Sequence, residues 1–165
     1  GSLKDIGSGN IGATNVLRTG NKLAAFLTLF CDGGKGFVTV LLAKLLTEEF
    51  TVQAVCLFVF IGHCFPIWLK FKGGKGVATY IGIVISINFI FGLVTCLIWL
   101  LSAAILRISS FSALISTISG PFIVFFLLDS SFLGISAMLS CLIFWTHRAN
   151  IRRILNGTES NINVN

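Results

Sequence analysis

Three short polar stretches carry the residue types that capture an anion. The first, Gly7-Ser8-Gly9-Asn10-Ile11-Gly12-Ala13-Thr14-Asn15 with Arg18, offers donors at Ser8, Asn10, Thr14 and Asn15 and a planar bidentate fork at Arg18. The second is Gly73-Gly74-Lys75-Gly76, and the third is His147-Arg148-Ala149-Asn150-Ile151-Arg152-Arg153. A phosphate held without a metal is bound by backbone N–H groups at helix starts and in glycine-rich turns, with Arg and Lys adding charge. Gly7, Gly9, Gly73, Gly74 and Gly76 permit that close backbone approach. A capped turn needs one donor where the first stretch supplies several, so a tetrahedral dianion suits it better.

Other residues add to or bound this chemistry. The second stretch lacks the G-x-x-x-x-G-K-[ST] spacing and preceding strand of a nucleotide-binding loop, which excludes an NTPase. A second Gly-Gly-Lys-Gly at 33–36 has unrelated flanks and reads as coincidence. Asp32 and Lys35, three apart on one helical face, pair and face the bundle interior, as a structural pair or as part of the site. Pro66 breaks the helix after His63, and the histidine is expected to bond a carbonyl so freed. His147 and Asn150 share a helical face and Glu159 follows, so these three read as site residues. Ser110 is either a helix cap or a substrate contact. No H-x-x-x-x-D follows either histidine, since Trp68 and Arg152 stand at the fifth position, so a His/Asp-activated acyltransferase is excluded. A G-x-S-x-G elbow and a metal-spaced cluster are absent too.

The elements that hold these residues are apolar. With 55% apolar and only 11% charged residues and a mean hydropathy of +0.95, the 165-residue chain is an integral membrane protein. Its net charge of +6 comes from basic residues spread over loops beside apolar runs, which speaks for anionic lipid and against nucleic acid. Five cysteines stand singly, as packing residues rather than a disulfide or metal framework. Basic loops stay cytoplasmic, so Lys4, Arg18 and Lys22 place the first loop inside. The runs 23–46 and 51–69 go out at Thr47-Glu48-Glu49 and return at Lys70, Lys72 and Lys75. As one helix, residues 77–106 would be about 45 Å long against a hydrocarbon core of roughly 30 Å. Two short crossings turning between Asn88 and Gly92 return Arg107 to the inside. The runs 112–128 and 132–146 then go out and back around Asp129-Ser130-Ser131. The expectation is an all-α, polytopic membrane helical bundle: one domain over residues 1–165, about six crossings, and every motif loop on the cytoplasmic face.

In order and in combination, the motifs resemble the bacterial acyl-phosphate:glycerol-3-phosphate acyltransferases, the PlsY family. That family carries G-S-G-N-x-G-A-T-N with a following Arg, D-x-x-K-G, G-H-x-x-P leading to F-x-G-G-K-G-V-A-T, and H-x-x-N-I-x-R ending in a Glu. The matching positions here are 7–15 with Arg18, 32–36, 62–66, 71–79, and 147–153 with Glu159. The resemblance implies transfer of a fatty acyl group from acyl phosphate to the 1-hydroxyl of sn-glycerol 3-phosphate. The products would be lysophosphatidate and phosphate, in the first step of bacterial phospholipid synthesis. It implies no metal or nucleotide cofactor, an inner-membrane location, and as a partner the soluble enzyme that makes acyl phosphate. Carried over by position, Ser8, Arg18, Lys75, His147 and Asn150 surround the acyl-phosphate group. Gly73, Gly74 and Gly76 shape the glycerol-phosphate pocket, Gly7, Gly9, Asn10, Asn15 and Ser110 join substrate binding, and Glu159 is catalytic without an assigned step. The family has seven membrane helices, and this sequence is expected to be truncated at its N-terminus by the first of them. Gly33 and Gly34 replace bulkier residues of the family and are expected to weaken their helix. The rival readings are an inactive remnant and a carrier of small organic phosphates, whose site would lie near midmembrane.

Overall fold

Asn21 starts the first long helix by accepting from the backbone N–H of Ala24 at 2.9 Å. From there helices carry most of the chain. The computed structural model describes residues 9–162 and contains no strand among them. The helices are α1 (Ala13–Leu17), α2 (Lys22–Leu46), α3 (Glu49–Cys64), α4 (Val77–Ile87), α5 (Phe89–Leu106), α6 (Ser109–Leu127), α7 (Leu133–Thr146) and α8 (Arg148–Leu155). Short 3-10 turns at Ile67–Leu69 and Ser130–Phe132 follow α3 and precede α7. Among the described residues, four helical stretches are long and apolar enough to cross a membrane: α2, α3 with its 3-10 extension, α5 and α6. The α7 and α8 segments, bent by 63°, make a fifth if taken as one span.

The break expected within residues 77–106 falls at Asn88, and α4, which ends there, is shorter than a usual crossing. Its 11 residues rise about 16 Å, half the hydrocarbon thickness. By length and composition four or five stretches could each span a membrane, and the shorter α4 leads from the glycine loop to Asn88 at the far end. Two devices satisfy the backbone where α4 gives way to α5. Asn88 Oδ1 accepts from the N–H groups of Ile90 and Phe91, capping α5. From α2, the Lys44 ammonium donates to the carbonyls of Ser86 and Ile87, each at 2.8 Å. Lys44→Met is expected to cost about 1–3 kcal/mol by leaving those carbonyls without a donor. A lowered thermal midpoint in detergent would report it; an unchanged midpoint would mean that water replaces the lysine.

Close approach of α2 and α4 depends on glycine. A Cβ on Gly82 would strike the carbonyl oxygen of Gly33, and one on Gly36 would strike that of Thr79. Thr79 Oγ1 adds a hydrogen bond to Asp32 O at 3.0 Å. Small residues let helix backbones meet where lipid provides no hydrophobic drive. Helix α2 runs unbroken through Gly33 and Gly34, so Gly33 serves packing where the sequence suggested only a weakened helix. The core groups Val40, Phe60, Tyr80, Ile83, Phe91, Val124, Leu139 and Ile143. Phe26, Phe30, Leu45, Phe58, Phe122 and Phe126 stay more than half exposed, as on a surface bathed by acyl chains. The polar stretches gather at one end of the bundle. Thr47-Glu48, Asn88 and Asp129 mark the other, where Gln53 Nε2 donates to Ser131 O at 3.1 Å.

Candidate functional site

The carboxylate of Glu159 is the hub of the polar end. Its Oε1 accepts from Asn150 Nδ2 at 2.6 Å and from Ser110 Oγ at 2.8 Å, and its Oε2 accepts from Arg153 Nε at 2.6 Å. These donors come from the start of α6 and from two positions one turn apart on α8, while Glu159 sits in the tail beyond α8. The tail is held in place by Ile162 N donating to Arg107 O at 2.7 Å. The Glu159 side chain is only 4% exposed. Burial raises its pKa, but bonds from Arg153, Asn150 and Ser110 outweigh burial and hold the carboxyl below its ordinary range. Asn150 is 1% exposed, and its Oδ1 has no partner among the described residues. The amide orientation is fixed because the carboxylate can only accept.

His147 lies at the bend between α7 and α8, buried, with Nδ1 donating to Ile143 O at 2.8 Å. In the neutral ring this leaves Nε2 as the acceptor. The adjacent Thr146 hydroxyl donates to the Lys75 carbonyl at 3.0 Å and so ties the end of α7 to the glycine loop. Burial pushes the Lys75 ammonium down to about 8; Glu159 pulls it upward, and Arg153 and Arg18 push it further down. Among the described residues, three cations thus stand against one carboxylate, an excess of positive charge of the kind a phosphate dianion balances.

Gly7 and Ser8 lie outside the described residues. Gly9 adopts a left-handed φ of 67°. Asn10 and Asn15 are joined by Asn15 Nδ2 donating to Asn10 O at 2.7 Å, and Asn10 Oδ1 accepts from Ile11 N at 3.0 Å. Thr14 and Ser109 hydroxyls meet at 3.1 Å, which docks α1 against the start of α6. Arg18 reaches the tail carbonyls of Ser160 and Asn161 at the long limit of 3.5 Å. Gly73, Gly74 and Gly76 pack on the end of α3. Cβ atoms there would strike His63 O and Pro66, the His63 ring, and the Phe60 ring respectively, and Gly76 has a φ of 86°.

Thr146 escaped the sequence reading, since nothing local marked it. Arg153 stood in the third polar stretch without a role of its own, although it follows Asn150 by three, one helical turn. The carbonyl bond expected of His63 is corrected, because its Nδ1 meets Lys35 Nζ at 2.6 Å and Asp32 Oδ1 at 3.5 Å.

Fold and site define a helical membrane protein with a cluster of cationic side chains at one end. A family model described as Glycerol-3-phosphate acyltransferase matches residues 1–157. A glycerol-3-phosphate acyltransferase of Roseobacter denitrificans is 53% identical over 162 residues, covering 98% of this chain and 81% of the relative. Two crystal structures of PlsY, an integral membrane glycerol 3-phosphate acyltransferase, superpose well. The glycerol 3-phosphate form gives a TM-score of 0.91 at 34% identity, over 98% of this chain and 82% of that one. The lysophosphatidic acid form gives 0.89 at 35%, over 93% and 80%. The chain belongs to the glycerol-3-phosphate acyltransferase family.

Proposed function

We propose that this chain transfers a fatty acyl group from acyl phosphate to the 1-hydroxyl of glycerol 3-phosphate, in the bacterial inner membrane with its motif loops cytoplasmic. The observation that carries the reading is the convergence of Lys75, Arg18 and Arg153 around the buried Asn150–Glu159 pair. The cations serve the phosphates, and the open Asn150 Oδ1 accepts from a glycerol hydroxyl. The hydroxyl oxygen forms a bond to the acyl carbonyl carbon, the anhydride bond to phosphate breaks, and the proton leaves on a phosphate oxygen. An acyl phosphate is already activated, so positioning and charge stabilisation suffice without a strong protein base. Lys75 and His147 meet the departing phosphate with Arg18, while Ser8 and the glycines at 7, 9, 73, 74 and 76 frame both substrates. Lys22, Lys70, Lys72, Arg107, Arg148 and Arg152 cluster at this end, and the far end carries Glu48, Glu49 and Asp129, which supports the orientation. Acyl phosphate arrives from the soluble enzyme that makes it.

An apolar cavity of about 410 Å³ lies between α6, α7 and α8, lined by Phe111, Leu114, Ile115, Ile118, Phe144, Ile151, Ile154 and Leu155. It opens on the same helices as Ser110 and Asn150 and suits an acyl tail. Ile115→Trp should shift the kcat/KM ratio of hexadecanoyl to decanoyl phosphate about tenfold toward the shorter chain. An unchanged ratio would move the tail elsewhere. Donor identity is tested with labelled glycerol 3-phosphate offered hexadecanoyl phosphate or hexadecanoyl-CoA: lysophosphatidate should form from the first alone, and formation from the thioester alone would overturn the reading.

A further inference from the structure

Asp32, Lys35 and His63 form a polar cluster that the anion site does not use. An ammonium has only donors, so Lys35 donates to Asp32 Oδ1 at 2.7 Å and to His63 Nδ1 at 2.6 Å, which leaves the ring proton on Nε2. The His63 side chain is 7% exposed, and Asp32 Oδ1 stands 3.5 Å from its Nδ1. Against the far edge of the ring lies Gly74. A Cβ built there strikes Nε2 and comes within 2.8 Å of Cε1 and 3.4 Å of Cδ2, and the three nearest atoms all belong to this ring. Gly73 N donates to Cys64 O at 3.0 Å beside it, and the Thr146 hydroxyl, from the end of α7, holds the Lys75 carbonyl at 3.0 Å. Lys75 is thus clamped between an imidazole under its neighbour and a hydroxyl on its own carbonyl. Lys35 is 41% and Asp32 21% exposed, and a solvent-facing ion pair contributes little to stability, so stability alone accounts poorly for this one.

We infer that Asp32, Lys35 and His63 are positioning residues: the two charged groups lock the imidazole, the imidazole is the floor on which Gly74 rests, and that floor aims the Lys75 ammonium into the anion site. The inference rests on reading Lys75 as a phosphate ligand.

The geometry supplies its own test. Gly74 is not among the left-handed glycines, which are Gly9, Gly20, Gly76 and Gly157, so alanine at 74 is opposed by the ring alone. Gly74→Ala and His63→Ala should each lower kcat/KM by about 10²-fold, mainly through KM for glycerol 3-phosphate, as misplacement by about 1 Å does. In the His63→Ala background, Gly74→Ala should cost no more than about twofold further, because the obstructing ring is gone. Gly73→Ala should stay as damaging in that background as in the wild type, since its Cβ meets the His63 backbone oxygen and Pro66. His63→Asn keeps an amide acceptor for Lys35 and removes the floor, which separates positioning from loss of fold. A readout without turnover is acetic anhydride labelling of Lys75 against pH, with exposed Lys72 as reference. Its midpoint should rise from about 8 in His63→Ala and His63→Asn as the ammonium becomes solvated. Additive losses in the double variant, or an unmoved Lys75 midpoint in both His63 variants, would overturn the inference. Inactive wild-type protein with shifted labelling would uphold the positioning and count instead against the acyltransfer reading.

Discussion

Lys75→Ala should lower kcat/KM by about 10²–10³-fold while its yield in the membrane fraction stays at the wild-type level. Among the described residues the side chain donates no hydrogen bond that holds the fold; its carbonyl, which any residue retains, accepts the bond from Thr146. What would be lost is a cation that burial has largely deprived of water and that, in the proposed reaction, faces the departing phosphate. The pH profile of the wild type carries the same signature. Lys75 acts as the ammonium, and its pKa lies at about 8, so activity should be full below that value and decline as pH rises through it. Lys75→Arg keeps the charge at higher pH and should remove this alkaline decline, at a lower rate because a planar fork does not fill the place of a compact ammonium. Arg18→Ala should also abolish turnover with expression intact. Rates near wild type in Lys75→Ala, or an alkaline limb retained by Lys75→Arg, would remove the lysine from the site.

Glu159→Ala is the second large effect, and it acts on fold and site together. It strips Asn150 of its acceptor, so the amide, 1% exposed, is left with both polar atoms unpartnered, and it releases Ser110 and Arg153. Loss of a buried partner costs about 3 kcal/mol, with the share of Arg153 discounted because that side chain is 37% exposed. Turnover should vanish, the thermal midpoint should fall, and the tail after residue 157 should become protease-sensitive. The carboxyl titrates below its ordinary 4.5, so its contribution to stability is present above that pH and is lost as pH falls through the lower folded value. Glu159→Ala should therefore show weaker acid destabilisation than the wild type below about pH 4.5. An unchanged tail and midpoint would mean that the carboxylate serves chemistry alone.

The sequence made some of this plain and hid the rest for physical reasons. Apolar runs and basic loops marked the helices and the common end of the motifs, because hydropathy and charge bias are local signals. The break at Asn88 was visible as too much apolar length for one crossing. How the short α4 is held was not visible, because it depends on Lys44 reaching across from α2 and on Gly33, Gly36 and Gly82 meeting without Cβ atoms. His63 was misjudged for the same reason: proline made a free carbonyl the obvious partner, whereas Lys35, 28 residues away, fills that place. The grouping of the loops was legible, but Glu159 as a shared acceptor depends on the tail folding back to the junction of α5 and α6, which no spacing encodes.

Phosphate release from hexadecanoyl phosphate by the purified protein in detergent, with glycerol 3-phosphate first absent and then present, tests the central claim most directly. Acyl transfer predicts release only when glycerol 3-phosphate is present, matched one for one by lysophosphatidate. Equal release in both arms, or none in either, would contradict it.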